Sequence, residues 1–178
     1  MPNNIFAEGI ELFQDKIVLV TLKTGRGYIF NRDNFTTEST FKFEHDGWGV
    51  TYFKQNIIIS DGKSHLYWYS DDNKNLSLVK QVTVNGVALN GINEMVVIGD
   101  LIYANIWPTD CIAVIEPLES KVIGWLDISN LYPWNDRSHW SHVSNGLAFE
   151  KNKQELWVTG KNWDKIFKLK LAKINVSK

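Results

Sequence analysis

Apolar and polar residues alternate along most of this chain in short runs bounded by Gly, Asn, Asp and Lys clusters. A period of two puts successive side chains on opposite faces of an extended strand. No segment sustains the apolar period of a helix, so the pattern predicts an all-β chain. Four segments align on a small-residue start followed by an alternating strand. They are Glu8-Gly9-Ile10-Glu11-Leu12, Trp48-Gly49-Val50-Thr51-Tyr52, Asn93-Glu94-Met95-Val96-Val97 and Asn145-Gly146-Leu147-Ala148-Phe149. With Gly9, Gly49, Glu94 and Gly146 taken as equivalent, the separations are 40, 45 and 52 residues.

Each start is followed by a short polar turn and a second strand, at 17–22, 57–60, 101–106 and 155–159. Third strands are expected at 27–31, 65–70, 111–116 and 165–170. Fourth strands are expected at 37–43, 76–84 and 121–128, while unit four reaches Lys178 without one. A repeated four-stranded antiparallel unit of this size is the signature of a β-propeller blade. A β-sandwich also has short strands, but not four copies in the same internal order. The expectation is one propeller domain over 1–178, with blades at about 6–44, 46–85, 89–129 and 143–173. The one long insertion, 130–142, carries Trp134 and Trp140, and a loop of that length points to a functional segment.

Composition narrows the function. The net charge of −1, from 19 basic and 20 acidic residues, leaves no basic stripe for a phosphate backbone, so nucleic acid is not an expected partner. No apolar run is long enough to span a bilayer, and no membrane partner is expected. Met1-Pro2-Asn3-Asn4 lacks the charged start and apolar stretch of a signal peptide, which leaves the compartment open. Cys111 is the single cysteine and reads as a small buried apolar residue beside Ile112. His139 and His142 have no third ligand nearby, so no metal or other cofactor is expected. Eight Trp, six Tyr and nine Phe suit sheets packed face to face, so only particular aromatic positions can argue function.

In an antiparallel hairpin, the start of the first strand lies beside the end of the second. Residues at those places in every blade therefore emerge on one face, around the central channel. The first-strand starts carry Phe6, Glu8, Trp48, Asn93 and Asn145; the second-strand ends carry Lys23, Asp61, Trp107, Asp110, Lys161 and Trp163. An aromatic wall with a few placed hydrogen-bonding groups is the profile of a site for a small, partly polar ligand. Each residue also has a plainer role: Glu8 and Lys161 as solvated charges, Trp48 and Trp107 as packing between blades, Asn93 and Asn145 as turn formers.

The segments Phe6-Ala7-Glu8-Gly9, Gly47-Trp48-Gly49-Val50-Thr51, Ser60-Asp61-Gly62, Ile92-Asn93-Glu94, Trp107-Pro108-Thr109-Asp110, Gly124-Trp125-Leu126-Asp127, Ser144-Asn145-Gly146 and Thr159-Gly160-Lys161 occur in that order. Together they resemble the plant and bacterial type of glutaminyl-peptide cyclotransferase, or glutamine cyclotransferase. The resemblance runs from about Phe6 to Leu171. It implies a five-bladed propeller that converts the N-terminal glutamine of peptides and proteins to pyroglutamate and releases ammonia. It also implies that Glu8 is the catalytic carboxylate, that Asn93 and Lys161 line the pocket, and that Phe6, Trp48 and Trp107 form its aromatic wall. Two features depart from the family. Its first blade, with a Phe-x-Gln motif, has no counterpart here, so the chain is expected to begin where a second blade would. Leu22 stands where the family usually has tryptophan. A non-catalytic propeller binding peptide or protein is the alternative reading. A calcium-dependent lactonase type is disfavoured because no ring of inward acids is expected.

Overall fold

The computed structural model describes residues 5–72 and 74–171. Four antiparallel sheets follow one another along the chain. The first holds β1 (Phe6–Phe13), β2 (Lys16–Leu22), β3 (Arg26–Asn31) and β4 (Thr37–Lys42). The second holds β5 (Val50–Phe53), β6 (Asn56–Ser60), β7 (His65–Ser70) and β8 (Leu76–Gln81). A small hairpin, β9 (Thr83–Val84) and β10 (Val87–Ala88), precedes the third set, β11 (Ile92–Ile98), β12 (Leu101–Ile106), β13 (Cys111–Glu116) and β14 (Lys121–Asp127). Among the described residues the fourth sheet holds β15 (Ser144–Glu150), β16 (Glu155–Gly160) and β17 (Phe167–Lys170). The remaining regular element is a 3-10 turn at Trp134–Asp136.

Strand order within each blade follows chain order, and the first strands β1, β5, β11 and β15 pack on one another in sequence around the centre. Middle strands are covered on both faces by neighbouring sheets. They therefore read as unbroken apolar runs, such as Ile57-Ile58-Ile59 in β6 and Ile112 to Ile115 in β13. Outer strands face water, and β8 is almost wholly exposed. Turns between first and second strands fall at one place in three blades, with positive φ at Gln14, Lys54 and Gly99. Only Gly99 is the residue type that adopts it without strain.

Three apolar cores fill three seams. Val20, Phe41, Val50 and Ile59 join sheets one and two. Ile58, Leu66, Ile92 and Ile102 join sheets two and three. Val96, Ile112, Leu156 and Val158 join sheets three and four. By contrast Ile10, Leu12 and Phe35 of the first sheet are 58%, 55% and 70% exposed. With Tyr52 of the second sheet, Val96 and Val97 of the third, and Leu147 and Phe149 of the fourth, they line an open cavity of about 880 Å³.

One expected strand is divided. The predicted segment 76–84 ends in its own sheet at Gln81, because Val82 turns fully inward and Thr83 pairs in parallel with Lys121 of β14. Asn85 and Gly86, both at positive φ, close the two-residue hairpin that carries β9 and β10 onto the third sheet. The Val82 N–H donates to the Ser64 carbonyl and the Thr83 N–H to that of Ser120, so this hairpin straps sheet two to sheet three. Cys111 is also a correction: as the first residue of β13 it is half-buried, while Ile112 takes the fully buried place.

Candidate functional site

The four aligned segments share a backbone device. In β1, Ala7 pairs with Thr21 and Ile10 with Leu19, leaving Glu8 and Gly9 opposite the single residue Val20. The same two-against-one bulge puts Asn93 and Glu94 opposite Asn105, and Asn145 and Gly146 opposite Thr159. In the second sheet Trp48 and Gly49 precede β5. The Trp48 N–H donates to the Ser60 carbonyl, and the Ser60 N–H to that of Gly49. A bulge interrupts the ladder and re-aims the side chain it carries. Glu8, Trp48, Asn93 and Asn145 thus occupy equivalent places beside the ends of β2, β6, β12 and β16.

Close approach between blades explains the glycines. A Cβ on Gly9 would lie 2.8 Å from the Val50 nitrogen, and one on Gly49 would strike the Asn93 carbonyl. A polar clamp holds each packed seam. Thr51 donates to Glu11 at 3.0 Å; Ser60 Oγ donates to the Asn93 carbonyl at 2.9 Å; Asn105 Nδ2 donates to Ser144 Oγ at 3.1 Å.

Glu8 is half-buried; burial pushes its carboxyl above the ordinary value, and the Lys161 ammonium of the fourth blade pulls it back down. Lys161 is itself half-buried, its N–H donating to the Val143 carbonyl at 3.1 Å. Two further acids, Glu11 and Glu94, lie within electrostatic reach of this group, and sequence reasoning missed both. Burial raises Glu11 to about 7, against the hydrogen bonds from Thr51 and the Leu12 N–H. Burial also raises Glu94 strongly, and the charges of Glu11 and Glu8 add to the effect. Their sequence signals were Glu11's place two residues beyond Gly9 on one strand face, and Glu94's place where the other units have glycine. The expectation of no inward acids is corrected to this extent, although no group of three acids or imidazoles among the described residues is arranged to hold a metal ion.

The aromatic wall is partly assembled. Trp48 lies on Gly62, whose φ of 74° and missing Cβ make room for the indole. Trp48 and Trp107 meet edge to face at 5.8 Å, a packing contact between the second and third blades. Asn93 is 1% exposed, and its Nδ2 has no hydrogen-bond partner, so the turn-forming role does not describe it. Trp48 Nε1 and Asn145 Oδ1 are likewise buried without partners. Such groups carry a desolvation cost of about 1–3 kcal/mol each unless something pairs them. Phe6 is 61% exposed, opposite Leu22 in the ladder, and adds an open side rather than a packed one.

Other residues from the same strand ends are structural. Asp61 accepts from the Lys63 N–H and the Tyr67 hydroxyl. Asp110 is the buried counter-ion of Arg137, at 2.8 Å, with both side chains almost fully covered. Lys23 is exposed and its N–H donates to Asp46. His139 and His142 bond Ser141 and Ser138 within the loop, and His142 also meets Asn162 in the connection after β16.

A propeller with a half-buried carboxylate, an ammonium that acts on it and two tryptophans in contact at equivalent strand ends has the profile of a candidate site for a small molecule or a peptide end. The glutamine cyclotransferase family pattern matches residues 1–171, and the chain belongs to that family. It is 33% identical to the glutaminyl-peptide cyclotransferase of Arabidopsis thaliana over 174 residues, covering 96% of this chain and 54% of that protein. The crystal structure of Myxococcus xanthus glutaminyl cyclase superposes with a TM-score of 0.88 at 28% identity, covering 93% of this chain and 72% of that one. BamB from Moraxella catarrhalis shares the fold alone, with a TM-score of 0.54 at 9% identity over 85% of this chain and 39% of its own. The chain thus spans about half the length of the curated relative it matches.

Proposed function

We propose that this chain acts as a glutaminyl-peptide cyclotransferase on peptides and proteins that begin with glutamine. In the reaction the free α-amine attacks the γ-amide carbon of its own side chain. The new C–N bond closes the five-membered ring, the C–NH₂ bond breaks, and the amine proton leaves with ammonia. Glu8 is the group proposed to take that proton and hand it to the leaving nitrogen, a role suited to a carboxyl lifted by burial and restrained by Lys161. The half-buried Lys161 ammonium, close enough to Glu8 to lower its carboxyl, suits the oxyanion developing on the γ-carbonyl. Trp48 and Trp107 fold the side chain back toward its amine, and that proximity lowers much of the barrier.

The observation that carries this reading is half-buried Glu8 under the electrostatic influence of Lys161, at strand ends equivalent to those that carry Trp48, Asn93 and Trp107. Mass spectrometry of a Gln-initiated peptide, following ammonia loss against the spontaneous reaction, tests it. Glu8→Gln keeps size and hydrogen bonding but removes proton exchange, and is expected to lower the rate on the order of a hundredfold or more. A parent chain that gives no acceleration overturns the cyclase reading. The second reading, a peptide-binding propeller without catalysis, draws on exposed Phe6 and on Leu22 in the wall position. It predicts binding of Gln-initiated peptides with no rate above background.

A further inference from the structure

We propose that Trp140, on the loop between β14 and β15, forms a subsite for the residue that follows the N-terminal glutamine and selects a large apolar or aromatic side chain there. The inference rests on the cyclase reading. It starts from a ladder of rings: Trp48 meets Trp107 at 5.8 Å, and Trp107 meets Trp140 at 6.1 Å. Burial falls along it. Trp48 has a fully covered indole nitrogen, Trp107 is half-buried, and Trp140 is 59% exposed. The ladder therefore climbs from the base of the wall to its rim.

The loop is latched in place. The Arg137 guanidinium pairs with buried Asp110, its Nε donates to the Tyr132 carbonyl at 3.0 Å, and it lies over Trp134 at 4.3 Å and Trp163 at 5.4 Å. Tyr132 stacks on Trp163 at 4.8 Å, and the His142 ring meets Asn162 at 2.9 Å, next to Lys161. Arg137 is a positioning residue here: it holds a loop that presents an exposed indole, and the loop carries that indole at little further ordering cost.

Cyclisation requires the glutamine side chain to turn back on its own amine beside Glu8, so the rest of the peptide must leave through the glutamine carbonyl toward solvent. A second side chain leaving along the wall meets Trp140 next. Ring-on-ring contact with it favours an aromatic side chain over glycine by about two- to tenfold.

The test compares kcat/KM for Gln-Phe-initiated and Gln-Gly-initiated peptides in the parent, Trp140→Ala and Trp140→Phe. The parent is expected to prefer the Phe peptide by that factor, Trp140→Ala to bring the ratio near one, and Trp140→Phe to restore most of it. A ratio unchanged in Trp140→Ala overturns the subsite while leaving the cyclase reading intact. If the parent does not accelerate cyclisation, calorimetric binding of pyroglutamyl-Phe amide against pyroglutamyl-Gly amide decides the subsite separately. Tighter binding of the Phe product that is lost in Trp140→Ala supports it, and equal binding of the two overturns it.

Discussion

The seam between the second and third blades and the side of the first turned away from the second are built in opposite ways. Between blades two and three, Gly49 meets the Asn93 backbone, Ser60 donates to the Asn93 carbonyl, Gly91 donates to Gly62, and the β9–β10 hairpin straps the outer edges. Ile58, Ile92, Ile102 and Leu66 are fully covered there. On the side of blade one turned away from blade two, Ile10, Leu12 and Phe35 stand exposed over an open cavity that residues of all four blades line. The stiff parts of the candidate site, Trp48, Trp107 and Asn93, belong to the packed seam. Its two charges do not, since Glu8 and Lys161 belong to blades one and four. The proposed wall is thus held by packing between blades two and three, while the proposed proton-transfer groups come from the first and fourth blades.

The largest expected effect contrasts the two regions directly. Ile92→Ala removes fully buried methyl groups from the packed seam and is expected to lower stability by about 2–5 kcal/mol. Leu12→Ala, on the open side, is expected to change it by about 0.5 kcal/mol. Denaturant midpoints at constant slope measure both. Equal losses would mean that the open side is covered in solution.

A smaller effect comes from Glu11, whose carboxyl lies against Thr51 and beside that cavity. Its folded value of about 7 lies above the ordinary 4.5, so the native state holds a proton that the unfolded chain has released. Its contribution is complete below about 4.5 and is lost as pH rises through about 7. Glu11→Gln is therefore expected to leave stability at pH 5 nearly unchanged and to raise it by on the order of 2 kcal/mol at pH 8. Thermal unfolding at the two pH values reads the difference. A variant no more stable than the parent at pH 8 would show that the carboxylate is solvated.

The smallest effect concerns the charge pair. Lys161 lowers the Glu8 carboxyl, so Lys161→Met should move the acid limb of the kcat/KM profile to higher pH. An acid limb that stays in place would show that the two groups do not interact across the open side.

Local pattern carried the blades because each is made of neighbours in sequence. Period-two alternation and polar turns are enough to specify hairpins, and the small-residue starts coincide with the bulges seen in β1, β11 and β15. Glu8, Trp48, Asn93, Trp107 and Lys161 were legible as strand starts and strand ends, which hairpin register puts side by side. The division of the strand at 76–84 was not, although Asn85-Gly86 is a hairpin signal. Parallel pairing of Thr83 with Lys121 depends on a sheet that forms later in the chain.

The sequence by itself determined the repeat, the strand order within each blade and the end of the channel where polar and aromatic residues gather. All of these follow from side-chain period and from contacts between adjacent strands. Only the tertiary structure decided that Asp110 pairs with Arg137, that Glu11 and Glu94 hold raised carboxyls, and that Trp140 meets Trp107. Burial, electrostatic proximity and ring contact across blades depend on how the blades are arranged about the channel, and no local period encodes that arrangement.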